Sequence, residues 1–423
     1  MAVSVSVPMS RRGALGVAAT ALLAGCAKPS SEARAIPNIS EIPEVPQSFS
    51  VVPAFDPAPL KNVLTKYLKP TKANPRHPTY AGAVAVVLRD GRVAAKIAVG
   101  HALRYQAGPV ELPAAKRVAM RTDSIFDLAS LTKVYTAILL LQQVERGAVD
   151  LDTPVVRYLP AFTGKGKNTI TVRMLLTHTS GLPVGANVKN VLGTPLLAGA
   201  VPGTTFRYSS TGLMVAAEIV EKVTGKNLAV ALKTGVTGPL GLTTTGFTPL
   251  KWLSKADQAK RLVATDARSS RGLLRGIVHD DVAAKLGGVI GSAGVFGTAH
   301  EVAVIGQLLL GGGVYNGKRI LAAATVKQML TNQNKGKPAI DPERPGRPSD
   351  HGLGVTLRQP WFMGRLSSAA TFGHTGFTGT SLLVHPGHKL VLALLTNRAH
   401  PNWSWADPDP MRAEVANAVA AQL

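Results

Sequence analysis

Ser130, Leu131, Thr132 and Lys133 make a Ser-x-x-Lys tetrapeptide. A spacing of three puts the hydroxyl and the ammonium on one face of a helix, one turn apart. A hydroxyl is a poor nucleophile until a neighbour takes its proton. A lysine followed by VYTAILLL can be desolvated and its pKa lowered, which would let it assist that transfer. At a helix start, backbone N–H groups and the macrodipole also favour negative charge. A Ser-x-x-Lys nonetheless occurs by chance about once in a chain of this length. On the tetrapeptide alone the plainer reading is favoured: Ser130 caps the helix and Lys133 faces solvent. Tyr208-Ser209-Ser210 follows Pro202-Gly203 and precedes an apolar helical segment. A phenol at such a corner, near two cations, can shuttle a proton. Alternatively Tyr208 is an aromatic plug, with Ser209 or Ser210 as the helix cap. His374-Thr375-Gly376 stands before a strand pair. Gly376 lets a substrate approach the backbone, and the N–H of Phe377 can point into a cleft as an oxyanion donor. The plain alternative is a glycine turn entering a strand.

These groups need a frame. Residues 59–68 place Leu60, Val63, Leu64 and Leu68 on one helical stripe. Asp90-Gly91 between two apolar runs predicts a hairpin. A long helix is expected from about Ser130, carrying Leu131, Val134, Ile138, Leu141 and Val144, and stopping before Gly147. A second, Leu213 to Val223, ends at Gly225. Strands return at Leu353 to Leu357, Ser381 to His385 and Leu390 to Thr396, and a last amphipathic helix covers 411–422. Adjacent hairpins imply an antiparallel sheet. The expected class is α+β. Both ends of the chain (58–127 plus 286–423) build an antiparallel sheet flanked by terminal helices. An all-helical domain (128–285) is inserted between them, with the site at the interface. Residues 332–350, polar and proline-rich, read as a surface loop.

Composition narrows the setting. Of 423 residues 45% are hydrophobic, enough for a sizeable core. The single cysteine, Cys26, excludes intramolecular disulfides, Cys-rich zinc sites and redox pairs. Arg11-Arg12 before an apolar run to Gly25 reads as a twin-arginine signal peptide over 1–25. Leu23-Ala24-Gly25-Cys26 resembles a lipobox, which would lipidate Cys26 and tether the chain to a membrane. Prolines at 29, 37, 43, 46, 53 and 57 make 26–57 an extended tether. Export to an extracytoplasmic or periplasmic site follows. The net charge of +23 then serves anionic lipid or wall polymer, or is merely a solvated basic surface. Nucleic acid is not an expected partner: no zinc-finger, RNP-like or helix-turn-helix signature is present.

The ordered set carries more weight than any member. IFDLASLTKVYTA, LLTHTSGLP (175–183), FRYSSTGL (206–213), LGGVIGSAGVFGTA (286–299) and FGHTGFTGTSLLVHP (372–386) together resemble the serine β-lactamase and penicillin-binding-protein family. More narrowly, they are similar to its class C β-lactamase, DD-peptidase and esterase branch. The resemblance covers about 58–423 and implies a β-lactamase/transpeptidase-like fold. It implies Ser130 as the acylated nucleophile, Lys133 as the group that tunes its proton, and Tyr208 as general base and acid. It implies an oxyanion hole from the N–H groups of Ser130 and Phe377. Ser210, His374, Thr375 and Gly376 would line the substrate wall. It implies neither metal nor organic cofactor, and small-molecule, ester or peptidoglycan-type substrates.

Two departures bear on substrate. The family's Tyr-x-Asn is Tyr208-Ser209-Ser210, so a hydroxyl replaces an amide. Its Lys-Thr-Gly is His374-Thr375-Gly376, so a permanent charge becomes a titratable one. Both point away from efficient β-lactam hydrolysis, toward a DD-carboxypeptidase or an esterase. The alternatives are a weak class C-like β-lactamase, an acyltransferase or a catalytically silent wall-binding module. Other chemistries fail: Gly-x-Ser-x-Gly and His-Glu-x-x-His are absent, and the ten histidines show no ligand spacing. His178 is expected to shape a loop, and His279-Asp280-Asp281 to form a local turn. Oligomeric state is not legible.

Overall fold

Alternation of side chains along strands explains why the sheet is covered on both faces. The computed structural model describes residues 55–268, 270–340 and 346–423. The signal segment, Cys26 and most of the tether therefore lie outside the described residues. Helix α1 (Pro57–Lys66) is capped by Asp56, which accepts from the Ala58 N–H, and buries Leu60 and Leu64. Strands β1 (Gly82–Arg89) and β2 (Arg92–Leu103) form the hairpin turned by Asp90 and Gly91, both at positive φ. That is the two-residue turn whose twist matches the strands. Strand β3 (Val118–Ala119) pairs with β2. The C-terminal part supplies β4 (Thr356–Leu357), β5 (Phe372–Thr375), β6 (Ser381–His385) and β7 (Leu390–Thr396). The order is β4-β5-β6-β7-β1-β2-β3, antiparallel throughout.

On β1, Ala83, Ala85 and Val87 pack with Leu60 and Leu64 of α1 and with Met411, Val415 and Val419 of the last helix (Asp409–Ala420). Val84, Val86 and Leu88 face the other way, into the cluster built by the helices between. Those helices include α2 (Thr132–Glu145), α3 (Ser210–Thr224) and α4 (Ala299–Leu310); the last helix is α5. Each leucine so buried contributes about 1.5–3 kcal/mol. Helix α2 starts two residues later than its periodicity suggests, because Ala129–Leu131 is a separate 3₁₀ turn. Three short strands, Phe126–Asp127, Val295–Gly297 and Gly246–Phe247, form a second sheet. No described helix is long and apolar enough to cross a membrane.

Candidate active site

Ser130 is held at the tip of a strained connection. The strand Phe126–Asp127 ends, Ala129 adopts φ +48, and its N–H donates to Asp127 Oδ1 at 2.8 Å. A non-glycine residue in that region costs of order 1–3 kcal/mol and persists only where surroundings enforce it. Lys133 follows in the first turn of α2. Its Nζ donates to Ser130 Oγ at 2.9 Å and to the Ser292 carbonyl at 3.0 Å. Lys133 is 0% exposed, with no carboxylate partner among the described residues. Ser130 therefore does not cap α2, and Lys133 does not face solvent.

The glycine-rich segment 286–299 makes this possible. Thr136 Oγ1 donates to the Gly291 carbonyl, and the Val295 N–H donates to Thr132 Oγ1. A Cβ on Gly291 would sit 2.0 Å from the Leu213 carbonyl oxygen. Only glycine lets this segment thread between α2 and α3 and bring its carbonyls to Lys133.

Tyr208 stands one residue before the cap of α3. Ser209 is that cap, its Oγ accepting from the Gly212 N–H. Lys133 Nζ lies 5.0 Å from the centre of the Tyr208 ring. His178 grips the backbone on both sides of Tyr208. Its carbonyl accepts from the Arg207 N–H at 2.8 Å, and its Nδ1 accepts from the Ser209 N–H at 3.1 Å. Ser210, the first residue of α3, is buried, and its hydroxyl has no hydrogen bond among the described residues.

Phe377 lies in a turn closed by the Gly379 N–H on the Gly376 carbonyl. The Phe377 N–H has no partner among the described residues. The turn is sewn to the chain entering Ser130: Thr378 Oγ1 donates to the Asp127 carbonyl and Thr380 Oγ1 to that of Leu128. From below, Arg412 donates to the carbonyls of Gly376 and Thr380. These bonds hold the Phe377 turn against the chain that enters Ser130. The Phe377 ring is 46% exposed beside Trp403, with 5.6 Å between centroids.

His374 and Thr375 close β5. His374 is 2% exposed, and its Nδ1 bonds the Thr375 carbonyl at 2.8 Å. Burial, then the charge of Lys133, hold its pKa down to about 3. The titratable charge read from the sequence is therefore absent near neutral pH. His351 is buried likewise, which lowers it to about 4, and its Nδ1 bonds the Gly352 carbonyl. His178 is pushed well below the ordinary imidazole range, first by burial and then by His351 and Lys133.

One ring nitrogen from each of His178, His351 and His374 lies within 4.8 Å of the other two. Spacing could not announce this, since the three come from separate segments. His351 was missed altogether in sequence. So were Asp127, Thr378, Thr380, Ser292 and Arg412, whose roles are backbone contacts that leave no motif. His279 also differs from expectation. Asp280 caps the short helix Asp281–Lys285, but His279 reaches across to Asp266 Oδ2 at 3.4 Å and lies 5.4 Å from the Phe377 ring. The 332–350 segment is not wholly a surface loop: Asn334 is buried and donates to the carbonyls of Thr177 and Ser349.

The family description Beta-lactamase matches residues 71–417. An N-acetylmuramyl-L-alanine amidase of Bacillus subtilis is 32% identical, the match covering 76% of this chain and 78% of that protein. An Escherichia coli protein with the provisional name D-alanyl-D-alanine carboxypeptidase is 30% identical, covering 76% and 79%. A family VIII carboxylesterase shares the fold with a TM-score of 0.63, at 20% identity over 88% of this chain and 98% of that one. The chain belongs to the β-lactamase family.

Proposed function

We propose that the protein is an exported serine hydrolase that works through an acyl-enzyme on Ser130, with D-Ala-D-Ala-type peptides or carboxylic esters as substrates. The observation that carries the reading is the 2.9 Å bond from buried Lys133 Nζ to Ser130 Oγ. In this reading Ser130 Oγ attacks the substrate carbonyl while its proton passes to Tyr208 acting as the phenolate, whose negative charge the Lys133 ammonium stabilises. The N–H groups of Ser130 and Phe377 hold the oxyanion. Tyr208 returns the proton to the departing amine or alkoxide, and water then cleaves the acyl-serine. Ser210, His374, Thr375 and Gly376 line the wall.

The relatives named for amidase and carboxypeptidase activity support an acyl-transfer substrate with an amide. The neutral, buried His374 favours the ester reading, because it offers no fixed cation to a terminal carboxylate. The exposed ring of Phe377 adds an apolar surface for an acyl group. Comparing kcat/KM on p-nitrophenyl butyrate, a diacetyl-Lys-D-Ala-D-Ala peptide and nitrocefin tests the reading. Turnover of the ester or the peptide, lost in Ser130→Ala, supports it; turnover of nitrocefin alone points to a β-lactamase. Products formed with added alcohol or amine would reveal a transferase.

The reading includes twin-arginine export, lipidation of Cys26 and an extracytoplasmic location, where the positive charge meets anionic wall or lipid. It also keeps the division into an α/β part (58–127 and 286–423) and an inserted helical part (128–285). Palmitate labelling of wild type against Cys26→Ala tests the anchor.

A further inference from the structure

Three imidazoles cluster beside Tyr208. His178, His351 and His374 are all fully or almost fully buried, and in each the Nε2 atom has no hydrogen-bond partner. A buried polar atom without a partner is costly, so three of them in adjoining rings call for an occupant. One ring nitrogen of each lies within 4.8 Å of the other two; since each Nδ1 is already hydrogen-bonded, we infer that the converging atoms are the unpartnered Nε2 atoms.

The hydrogen bonds on the far side of each ring fix the protons. His178 Nδ1 accepts from a backbone N–H, that of Ser209, so it must carry the lone pair. In a neutral ring the proton is then on Nε2. His351 Nδ1 and His374 Nδ1 face carbonyls, those of Gly352 and Thr375, so they carry the proton. Their Nε2 atoms are lone pairs. The pocket thus presents one donor and two acceptors.

That pattern complements one water molecule, which accepts one hydrogen bond and donates two. The size agrees. Three atoms no more than 4.8 Å from one another always leave a point within about 2.8 Å of all of them, which is hydrogen-bond reach. A zinc ion fits worse. It would need three lone pairs at about 2.0–2.1 Å, and His178 could supply one only by giving up the Ser209 N–H. Lys133, whose ammonium opposes positive charge on His178 and His374, adds repulsion.

We propose that His178, His351 and His374 enclose a single water molecule, and that this water ties the Tyr208 segment to β5 and so positions Tyr208. The positioning half rests on the catalytic reading given above. The route is short: His178 clamps residues 207 and 209, its ring lies 4.6 Å from that of Tyr208, and it holds φ +57, a strained value that needs external support. The titratable or charged groups facing the three rings are Lys133 from α2, Tyr208, and Arg412 from α5. None supplies a negative charge that would favour protonation at neutral pH.

The test begins on the wild-type protein. Nitrogen-15 histidine NMR should show His178 as the Nε2–H tautomer and His351 and His374 as Nδ1–H tautomers, with no titration between pH 5 and 8. A crystal structure should show one solvent peak with three nitrogen contacts, and incubation with zinc should leave less than one-tenth of a metal ion per chain by mass spectrometry. A dry pocket, an equimolar metal or a ring titrating near its ordinary value overturns the site. His351→Phe removes one acceptor and should lower kcat about tenfold with KM little changed, while His351→Gln, which keeps an acceptor, restores most of it. Equal kcat in wild type and His351→Phe overturns the positioning role. If the water and tautomers are found but no variant or wild type hydrolyses any ester or peptide, the water site stands, and the catalytic reading fails along with the positioning role that rests on it.

Discussion

Gly376→Ala probes how the oxyanion donor is delivered to the nucleophile. A Cβ at Gly376 would lie 2.1 Å from Thr380 Oγ1, 2.5 Å from the Leu128 carbonyl oxygen and 3.3 Å from Ala129 Cβ. Ordinary contact is about 3.5 Å, so the turn has to retreat by about 1 Å from the segment that enters Ser130. Thr380 cannot swing away freely, because its hydroxyl donates to that same Leu128 carbonyl. The Phe377 N–H retreats with the turn. A misplacement of about 1 Å costs about 10²-fold, and losing one oxyanion donor costs about 10²–10³ in kcat. The expected result on p-nitrophenyl butyrate is a fall in kcat of about 10²–10³ with KM within a few-fold. Gly185→Ala is the control: no atom lies within 4 Å of its Cβ and its φ is ordinary, so kcat and Tm should match wild type. A Gly376→Ala protein with a cooperative melt and kcat within about threefold of wild type would refute the reasoning.

Other consequences follow from the same contacts. Lys133→Met keeps the bulk in the core but removes the donor to Ser130 Oγ and the Ser292 carbonyl, so hydrolysis should fall by about 10³ or more; retention of a tenth of the activity contradicts the assigned role. Asp127→Ala leaves the N–H groups of Ala129 and His279 without their acceptor and should destabilise the fold by about 2–4 kcal/mol in urea melts, with kcat falling as the Ser130 turn loosens. Acid should destabilise the protein through its buried histidines. His351, His374 and His400 have pKa values lowered to about 4, 3 and 3, below the ordinary ~6.5 of the unfolded chain. Above that value neither state binds a proton and stability is full. Below it the unfolded chain takes up protons that the fold refuses, so stability falls by up to about 1.4 kcal/mol per pH unit per histidine, down to about pH 3–4. Urea midpoints unchanged from pH 7.5 to 5 would contradict this.

What the sequence makes legible is what local pattern controls. The Asp90-Gly91 hairpin, the stripe of α1 and the run that becomes α2 each reflect a period or a turn within a few residues. Ser130, Lys133, Tyr208 and His374 stand out because they sit in motifs. Partners held by backbone atoms do not. Thr378 and Thr380 look like any threonines until the fold lays the Asp127 and Leu128 carbonyls beside them. His351 is 173 residues from His178, and the sequence carries no sign that their rings meet. The two-residue strands of the second sheet are too short for any periodicity to show. The residue type of His374 shows that its charge depends on pH but not the pH at which it appears, because burial sets that.

The most direct test of the central claim is covalent. The purified protein should be treated with a fluorophosphonate, digested, and the adduct located by peptide mass spectrometry, with intact mass giving the stoichiometry. The expected result is one adduct per chain on the peptide holding Ser130, lost in Ser130→Ala, together with loss of esterase activity in step with labelling. An adduct on another serine that tracks activity, or full activity in a protein labelled at Ser130, would contradict it.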